Sequence, residues 1–331
     1  MKEPVLALRW NGRELLILDQ RKLPKKEVWI RARDVETVAR AIESLAVRGA
    51  PAIGIAAAYG VALAGLQKTA TVERVQRAIQ RMAKTRPTGY NLFHALRIME
   101  ETVERGEHDL AQRLLGKAVR IHRADERACL KMAKHGLEVF GNDEHVLTYC
   151  NTGALATGGI GTALGVIKTG FRRGKVKEVF ACETRPVGQG ARLTVWECVK
   201  WGIPVTLICD NMVEALMQSG RVTRVLVGAD RIARNGDTSN KIGTSMVAAL
   251  AHLHKIPFHV VAPVTTFDLS LRSGKDIPIE ERSHSEILSS VSGLDRLPGV
   301  KVWNPAFDVT PAKHITSHIT DAGVVRPPFE F

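Results

Sequence analysis

Apolar positions along the chain fall into two textures. Over residues 5–31, short apolar runs alternate with turn residues: Val5-Leu-Ala-Leu-Arg-Trp10, then Asn11-Gly12, then Leu15-Leu-Ile-Leu18. Asn-Gly between two such runs predicts a β-hairpin, because both residues tolerate the positive φ of a tight turn. Val28-Trp-Ile30 adds a third strand. At Val35 the period changes: Val35, Val38, Ala39, Ile42, Leu45 and Ala46 recur at helical spacing and make one apolar face. Residues 71–84, 91–105 and 108–140 also read as helices, punctuated by Arg86-Pro87-Thr88-Gly89 and by Gly106. The run from Gly49 to Leu66 holds 18 uncharged residues, the lower limit for a membrane span. Ala and Gly dominate it, so a buried, closely packed helix is predicted there instead of a membrane segment.

From His145 the texture changes to strand-helix repeats: strand 145–150, then a small-residue helix to Ile167; 177–182, then 189–200; 204–209, then 211–219; 222–229, then 240–254; and strand 258–262. Repeats of this length imply right-handed crossovers and a parallel sheet. The fold expected is α/β: a smaller N-terminal domain of antiparallel strands plus helices, residues 1–125, and a parallel-sheet domain, residues 126–331. The boundary is expected in or beside a long helix, because no Pro/Gly/Ser-rich linker is visible.

Composition adds little to this. The 331 residues suit two units and form an ordinary globular mixture. The net charge of +13 raises nucleic acid as a partner, but the basic residues are dispersed. The densest cluster, Lys168 to Lys177, contains Phe171 as its one aromatic residue. Anionic substrates or plain solubility account for the charge more simply, so neither nucleic acid nor a membrane is expected as a partner. The five cysteines, Cys129, Cys150, Cys182, Cys198 and Cys209, form no C-x-x-C, and Met1-Lys-Glu-Pro leads straight into a strand-like segment. A reducing, cytoplasmic setting is therefore expected. His252 and His254, two apart on a helix, cannot share one face, and no metal or organic cofactor is expected.

Open parallel sheets bind ligands beyond the carboxyl ends of their strands. In order, those ends carry Cys150-Asn151, Cys182-Glu183-Thr184-Arg185, Asp210-Asn211, Asp230 and Pro263-Val264-Thr265-Thr266. Asp230 ends an apolar run, and after a polar loop Asn240-Lys241 is expected to open a helix. That would place a carboxylate and an ammonium beside a helix N-terminus, a setting for an anionic substrate and a proton transfer. Asp237, in the same loop, reads as a turn residue. Cys150 precedes a Gly-rich stretch, and a thiol before a helix N-terminus has its thiolate favoured by the helix dipole. The alternative for Cys150 is a small buried core residue. Arg48-Gly49-Ala50-Pro51 opens another helix and is a candidate phosphate site, with Arg86 a weaker one. Gln189 and Arg192 offer an amide and a charge near the same edge. Residue types alone give an α/β enzyme acting on a small phosphorylated substrate, with Cys150 and Asp230 as an acid/base pair.

At these residues the chain resembles the methylthioribose-1-phosphate isomerases, the sugar-phosphate isomerases of methionine salvage. The matching blocks run almost end to end: Val47-Arg-Gly-Ala-Pro-Ala-Ile-Gly54, Arg86-Pro-Thr88, Cys150-Asn151 with Gly153-Ala-Leu-Ala-Thr157, Glu183-Thr-Arg-Pro186, Gln189-Gly-Ala-Arg-Leu-Thr194, Val227-Gly-Ala-Asp-Arg-Ile-Ala233, Asn240-Lys-Ile-Gly-Thr244 and Asn304-Pro-Ala-Phe-Asp-Val-Thr-Pro311. The resemblance implies a Rossmann-like C-terminal domain, a homodimer and an aldose-ketose isomerisation without cofactor. It implies Cys150 and Asp230 as the catalytic pair. It further implies substrate contacts from Arg48, Gly49, Ala50, Arg86, Gln189, Asn240 and Lys241.

Three departures flank that set. Tyr149 and Thr152 stand where the family usually has His and Ala, Cys182 where an acidic residue is usual, and Gly89-Tyr90 where Ala-Val is usual. They bear on the substituent at carbon 5 of the sugar, so 5-deoxyribose-1-phosphate and ribose-1,5-bisphosphate isomerases are alternatives. The regulatory α, β and δ subunits of the translation-initiation exchange factor, which share the fold and bind partners, are an alternative of another class.

Overall fold

The computed structural model describes residues 5–104, 108–289 and 291–331. The predicted punctuation at Gly106 and the Met1-Lys-Glu-Pro segment lie outside them.

The chain opens with β1 (Leu8–Trp10), β2 (Leu15–Leu18) and β3 (Trp29–Ala32), an antiparallel sheet in the order β1-β2-β3. Its turn holds Gly12 at φ 94°, the conformation for which Asn-Gly is suited. Five helices follow: α1 (Val35–Glu43), α2 (Ala50–Gly65), α3 (Val72–Ala83), α4 (Tyr90–Val103) and α5 (Leu110–His135). In α2 every residue from Ala52 to Gly65 is buried, so the uncharged run is the central helix of the N-terminal core. No helix among the described residues is long and apolar enough to cross a membrane.

Helix α5 joins two cores. Leu110, Leu114 and Ala118 pack into the N-terminal core, whereas Ala128, Cys129 and Met132 pack against the parallel sheet. We propose the division between residues 125 and 126, inside this helix, as the domain boundary.

The C-terminal part runs β4 (Glu144–Thr148), α6 (Ala163–Arg172), β5 (Val176–Cys182), α7 (Val195–Trp201), β6 (Val205–Ile208), α8 (Val213–Gln218) and β7 (Arg224–Val227). After β7 come β8 (Arg231–Ala233), β9 (Thr238–Lys241), α9 (Thr244–Leu253), β10 (Phe258–Val261), β11 (Phe267–Asp268), α10 (Ser285–Leu288), β12 (Phe307–Thr310), β13 (Ser317–Ile319) and β14 (Val324–Val325). The main sheet is ordered β14-β13-β10-β7-β4-β5-β6, parallel except for β14. Numbered among themselves, its six parallel strands follow the doubly wound order 3-2-1-4-5-6. The strand order reverses between β4 and β7, the topological switch point where such sheets bind ligands.

Two expectations are corrected. The segment after Cys150 is a loop with one 3-10 turn, Ala154–Ala156, and helix α6 begins at Ala163. Cys150 therefore sits at no helix N-terminus, because the Gly-rich residues 151–162 form a packed loop. Asn240-Lys241 likewise does not open a helix. It lies on β9, which pairs with β8 and β12 in a second sheet ordered β11-β8-β9-β12. The polar loop after Asp230 is a hairpin, whose strands are too short and polar to show an alternating pattern.

Candidate active site

Cys150 follows β4 and Asp230 follows β7, so the switch point places both at the same crevice. One cavity there is lined by Arg48, Gly49, Ala50, Arg86, Cys150, Gln189, Asp230, Asn240 and Lys241. The nine catalytic and substrate-contacting residues that the resemblance implies thus meet, from segments as distant as Arg48 and Lys241; Arg192 and Thr266 join them, whereas Glu183, Arg185, Asp210 and Asn211 do not line the cavity.

Cys150 is held under tension. Its φ is 62° and that of Thr184 is 65°, both in the left-handed region that non-glycine residues rarely occupy. Paired hydrogen bonds maintain this geometry: the Cys150 N–H donates to Thr184 Oγ1 at 2.9 Å, and Thr194 Oγ1 donates to the Cys150 carbonyl at 2.6 Å. Asp210, at the end of β6, accepts from the N–H groups of Thr184 and Arg185 and fixes the neighbouring loop. Tyr149 is buried beside Asp210, and burial pushes its hydroxyl well above its ordinary pKa.

The positive charge beside Cys150 comes from the segment before α2. Arg48 Nη2 lies 3.7 Å from Cys150 Sγ and 3.3 Å from the Asn151 carbonyl, while Nη1 donates to Asn151 Oδ1 at 3.2 Å. Gly49, the N-cap of α2, has φ 98°, and a Cβ there would fall 2.5 Å from the Ala156 backbone. Only glycine lets these two backbone segments approach to this distance. No side chain caps α2, so its N-terminus opens on the cavity next to Arg48. Together they form a favourable setting for an anion. Arg192 adds a second guanidinium, donating to the Gln20 and Val187 carbonyls; burial and Arg48 both lower its pKa.

Across the cavity, burial raises the Asp230 pKa, and the charges of Lys241, Arg48 and Arg86 pull against that rise. Burial likewise lowers the Lys241 pKa, opposed by Cys150 and Asp230. The Lys241 ammonium donates to the Ala306 carbonyl at 2.8 Å and lies 4.6 Å from the centre of the Phe307 ring. Asn240 Nδ2 donates to Thr244 Oγ1. The N-terminus of α9 is not open to a ligand, because Asp308 accepts from the N–H groups of Gly243 and Ser245. Arg86 pairs with Glu280 at 3.0 Å, and Thr88 donates to the same carboxylate. Gln189 is buried, and its Oε1 has no hydrogen-bond partner. Asp237 does more than shape its turn: it also accepts from the N–H groups of Gly274 and Ala312.

Gln20, Glu280, Phe307 and Asp308 carry no role in the sequence reading. Each acts through a partner distant in sequence, and nothing in local periodicity marks it.

This architecture and site define an α/β enzyme of the doubly wound class, with a basic crevice that presents a thiol and a carboxyl. The family model of the initiation factor 2 subunit family matches residues 46–327. A methylthioribose-1-phosphate isomerase of Heliobacterium modesticaldum is 51% identical over 332 residues, covering 98% of this chain and 96% of that relative. The crystal structure of 5-methylthioribose 1-phosphate isomerase from Pyrococcus horikoshii OT3 is 44% identical, with TM-score 0.91, covering 99% of this chain and 94% of that one. The translation initiation factor eIF-2B subunit delta of A. fulgidus is 43% identical, with TM-score 0.85, covering 98% and 97%. The chain belongs to the methylthioribose-1-phosphate isomerase family, within the initiation factor 2 subunit family.

Proposed function

We propose that this protein isomerises 5-methylthioribose 1-phosphate to 5-methylthioribulose 1-phosphate, the aldose-to-ketose step of methionine salvage. One observation carries the reading. The whole constellation of Arg48, Cys150, Asp230, Asn240 and Lys241 converges on the switch-point crevice of a chain about half identical, end to end, to a relative of that name.

Carbon 1 of this substrate carries the phosphate, so no free aldehyde exists and the furanose must open with the phosphate attached. The phosphate lies against Arg48 and the N-terminus of α2, with Gly49 and Ala50 approaching through backbone. Gln189 turns its unpartnered amide oxygen to a sugar hydroxyl, while Arg86, Asn240 and Lys241 hold the remaining substrate. Asp230 gives a proton to the ring oxygen as the carbon 1–oxygen bond breaks. It then takes the proton of the carbon 2 hydroxyl as the ketone forms. Burial, which keeps Asp230 protonated to higher pH than a free aspartic acid, suits it to both tasks. The hydrogen on carbon 2 moves to carbon 1, either as a proton removed by Cys150 and returned through an enediol-like species, or as a hydride past Cys150. Solvent deuterium appearing in the product marks the proton route; its absence leaves hydride transfer, or a proton returned without exchange.

The regulatory-subunit reading draws on the A. fulgidus structure and predicts a protein without turnover. Turnover measured on methylthioribose 1-phosphate, 5-deoxyribose 1-phosphate and ribose 1,5-bisphosphate separates all four readings. We further propose a cytoplasmic homodimer, in keeping with five free cysteines, four of them buried. Light scattering at working concentration tests the dimer.

A further inference from the structure

We infer that Glu197 is a positioning residue for Cys150: its carboxylate fixes the Asn151 amide with its oxygen toward Arg48, which holds the guanidinium against the sulfur. This rests on the reading of Cys150 as a reacting group. Glu197 lies on α7, is fully buried and does not line the cavity. A carboxylate in such a place is costly unless it is fully hydrogen-bonded. All of its bonds go to the loop after β4. Glu197 Oε1 accepts from Asn151 Nδ2 at 2.8 Å and from the Leu155 N–H at 3.3 Å, and Oε2 accepts from the Ala154 N–H at 2.7 Å. Gly153 makes room for it: a Cβ there would fall 2.4 Å from the carboxylate oxygens. Burial pushes the Glu197 pKa up to about 7, and these hydrogen bonds and the charge of Lys168 oppose the rise. The neighbouring Cys198 thiol is held protonated by burial and by Glu197 itself.

The orientation of the Asn151 amide follows from its neighbours. Thr194 commits its hydroxyl proton to the Cys150 carbonyl, so toward Asn151 Nδ2, at 3.3 Å, it is an acceptor. Glu197 is an acceptor as well. Both force the NH2 group inward and the amide oxygen out to Arg48 Nη1 at 3.2 Å. The same guanidinium carries the Nη2 that reaches Cys150 Sγ at 3.7 Å. Thr194 and Glu197, one helical turn apart, thus brace both the strained Cys150 backbone and the charge beside its sulfur.

Glu197→Gln sets an NH2 against one of three N–H donors. Reversing Asn151 to relieve that conflict would turn its NH2 on Arg48. Asn151→Asp instead sets two buried carboxylates against each other. The double variant restores donor to acceptor between the two side chains: the new amide at position 197 donates to one oxygen of the new carboxylate at position 151, whose other oxygen accepts from Arg48, and the long bond from the Leu155 N–H is lost. The experiment is iodoacetamide alkylation of Cys150 in the free protein, followed peptide by peptide, beside steady-state turnover and near-ultraviolet circular dichroism. Each single variant is expected to slow both rates about tenfold or more, and the double variant to return both to within about fivefold of the parent. Singles at the parental rate, or a folded double no faster than the singles, overturn the inference. If Glu197→Gln alone fails to fold, the comparison of Asn151→Asp with the double carries the test. Alkylation requires no substrate, so its cycle stands or falls separately from the assigned reaction.

Discussion

The guanidinium of Arg48 lies 3.7 Å from the sulfur of Cys150, although the two residues are 102 positions apart. A planar fork is needed there, because one side chain reaches a sulfur, an amide oxygen and a main-chain carbonyl at once. Lysine keeps the charge and loses the fork. Arg48→Lys should therefore lower kcat/KM by about 10- to 100-fold, with thermal stability held within a few degrees. Kinetics at the parental level would show that charge alone suffices.

Cys150→Ser and Asp230→Asn remove the two groups assigned to hydrogen movement. Each should cut kcat by roughly 10²–10⁴-fold and leave the circular dichroism spectrum unchanged. Near-normal turnover in either variant contradicts its role.

The Asp230 pKa is set by burial pushing it up and by Lys241, Arg48 and Arg86 pulling it down. Taking away one cation leaves the upward push less opposed. In Lys241→Met the limb of the kcat/KM–pH profile that belongs to Asp230 should move to higher pH, whichever protonation state is required. A limb that stays in place, or moves to lower pH, separates Asp230 from the titration that governs turnover.

Much of this site is legible in the sequence, for a physical reason. Parallel strands buried on both faces are mostly apolar toward their carboxyl ends, so the residues that follow stand out, and Cys150, Asp210 and Asp230 are visible that way. The identity of the flanking elements is not. Asn240-Lys241 reads as a helix start because polar residues precede an amphipathic run, yet it forms a strand through pairing with Phe307–Thr310, far along the chain. Long-range pairing overrides local preference in just such short polar strands. Arg86 reads as a free phosphate ligand, yet Glu280, distant in sequence, neutralises it. Glu197 lies within a helix and looks like any solvated glutamate.

The Arg86–Glu280 pair ties the turn before α4 to the segment before α10, with both side chains 14% exposed. Burial costs more when one partner is removed than the pair contributes intact. Glu280→Gln should free Arg86 and alter KM more than kcat, while Arg86→Ala should raise KM and also lower stability. Unchanged KM in both variants places the pair outside substrate binding.

A separate prediction concerns His318, which is 1% exposed and packed against Phe267, Phe329 and Phe331. Neither ring nitrogen makes a hydrogen bond of good geometry, and burial pulls its pKa down to about 4. The unfolded chain takes up this proton near pH 6.5 while the folded protein refuses it, so stability falls as pH drops from about 6.5 to about 4. Carried to completion, the loss is about 3 kcal/mol. His318→Leu should escape it. Denaturant unfolding of the two proteins at about pH 7.5 and about pH 4.5 should show the variant gaining relative to its parent at the lower pH. A constant difference would remove His318 as the cause.

The substrate is decided by initial rates on three sugar phosphates. The highest kcat/KM is expected with methylthioribose 1-phosphate, lower values with 5-deoxyribose 1-phosphate and ribose 1,5-bisphosphate, and loss of nearly all turnover in Asp230→Asn. A folded protein that leaves methylthioribose 1-phosphate unchanged, or that prefers either of the other two, would contradict that assignment.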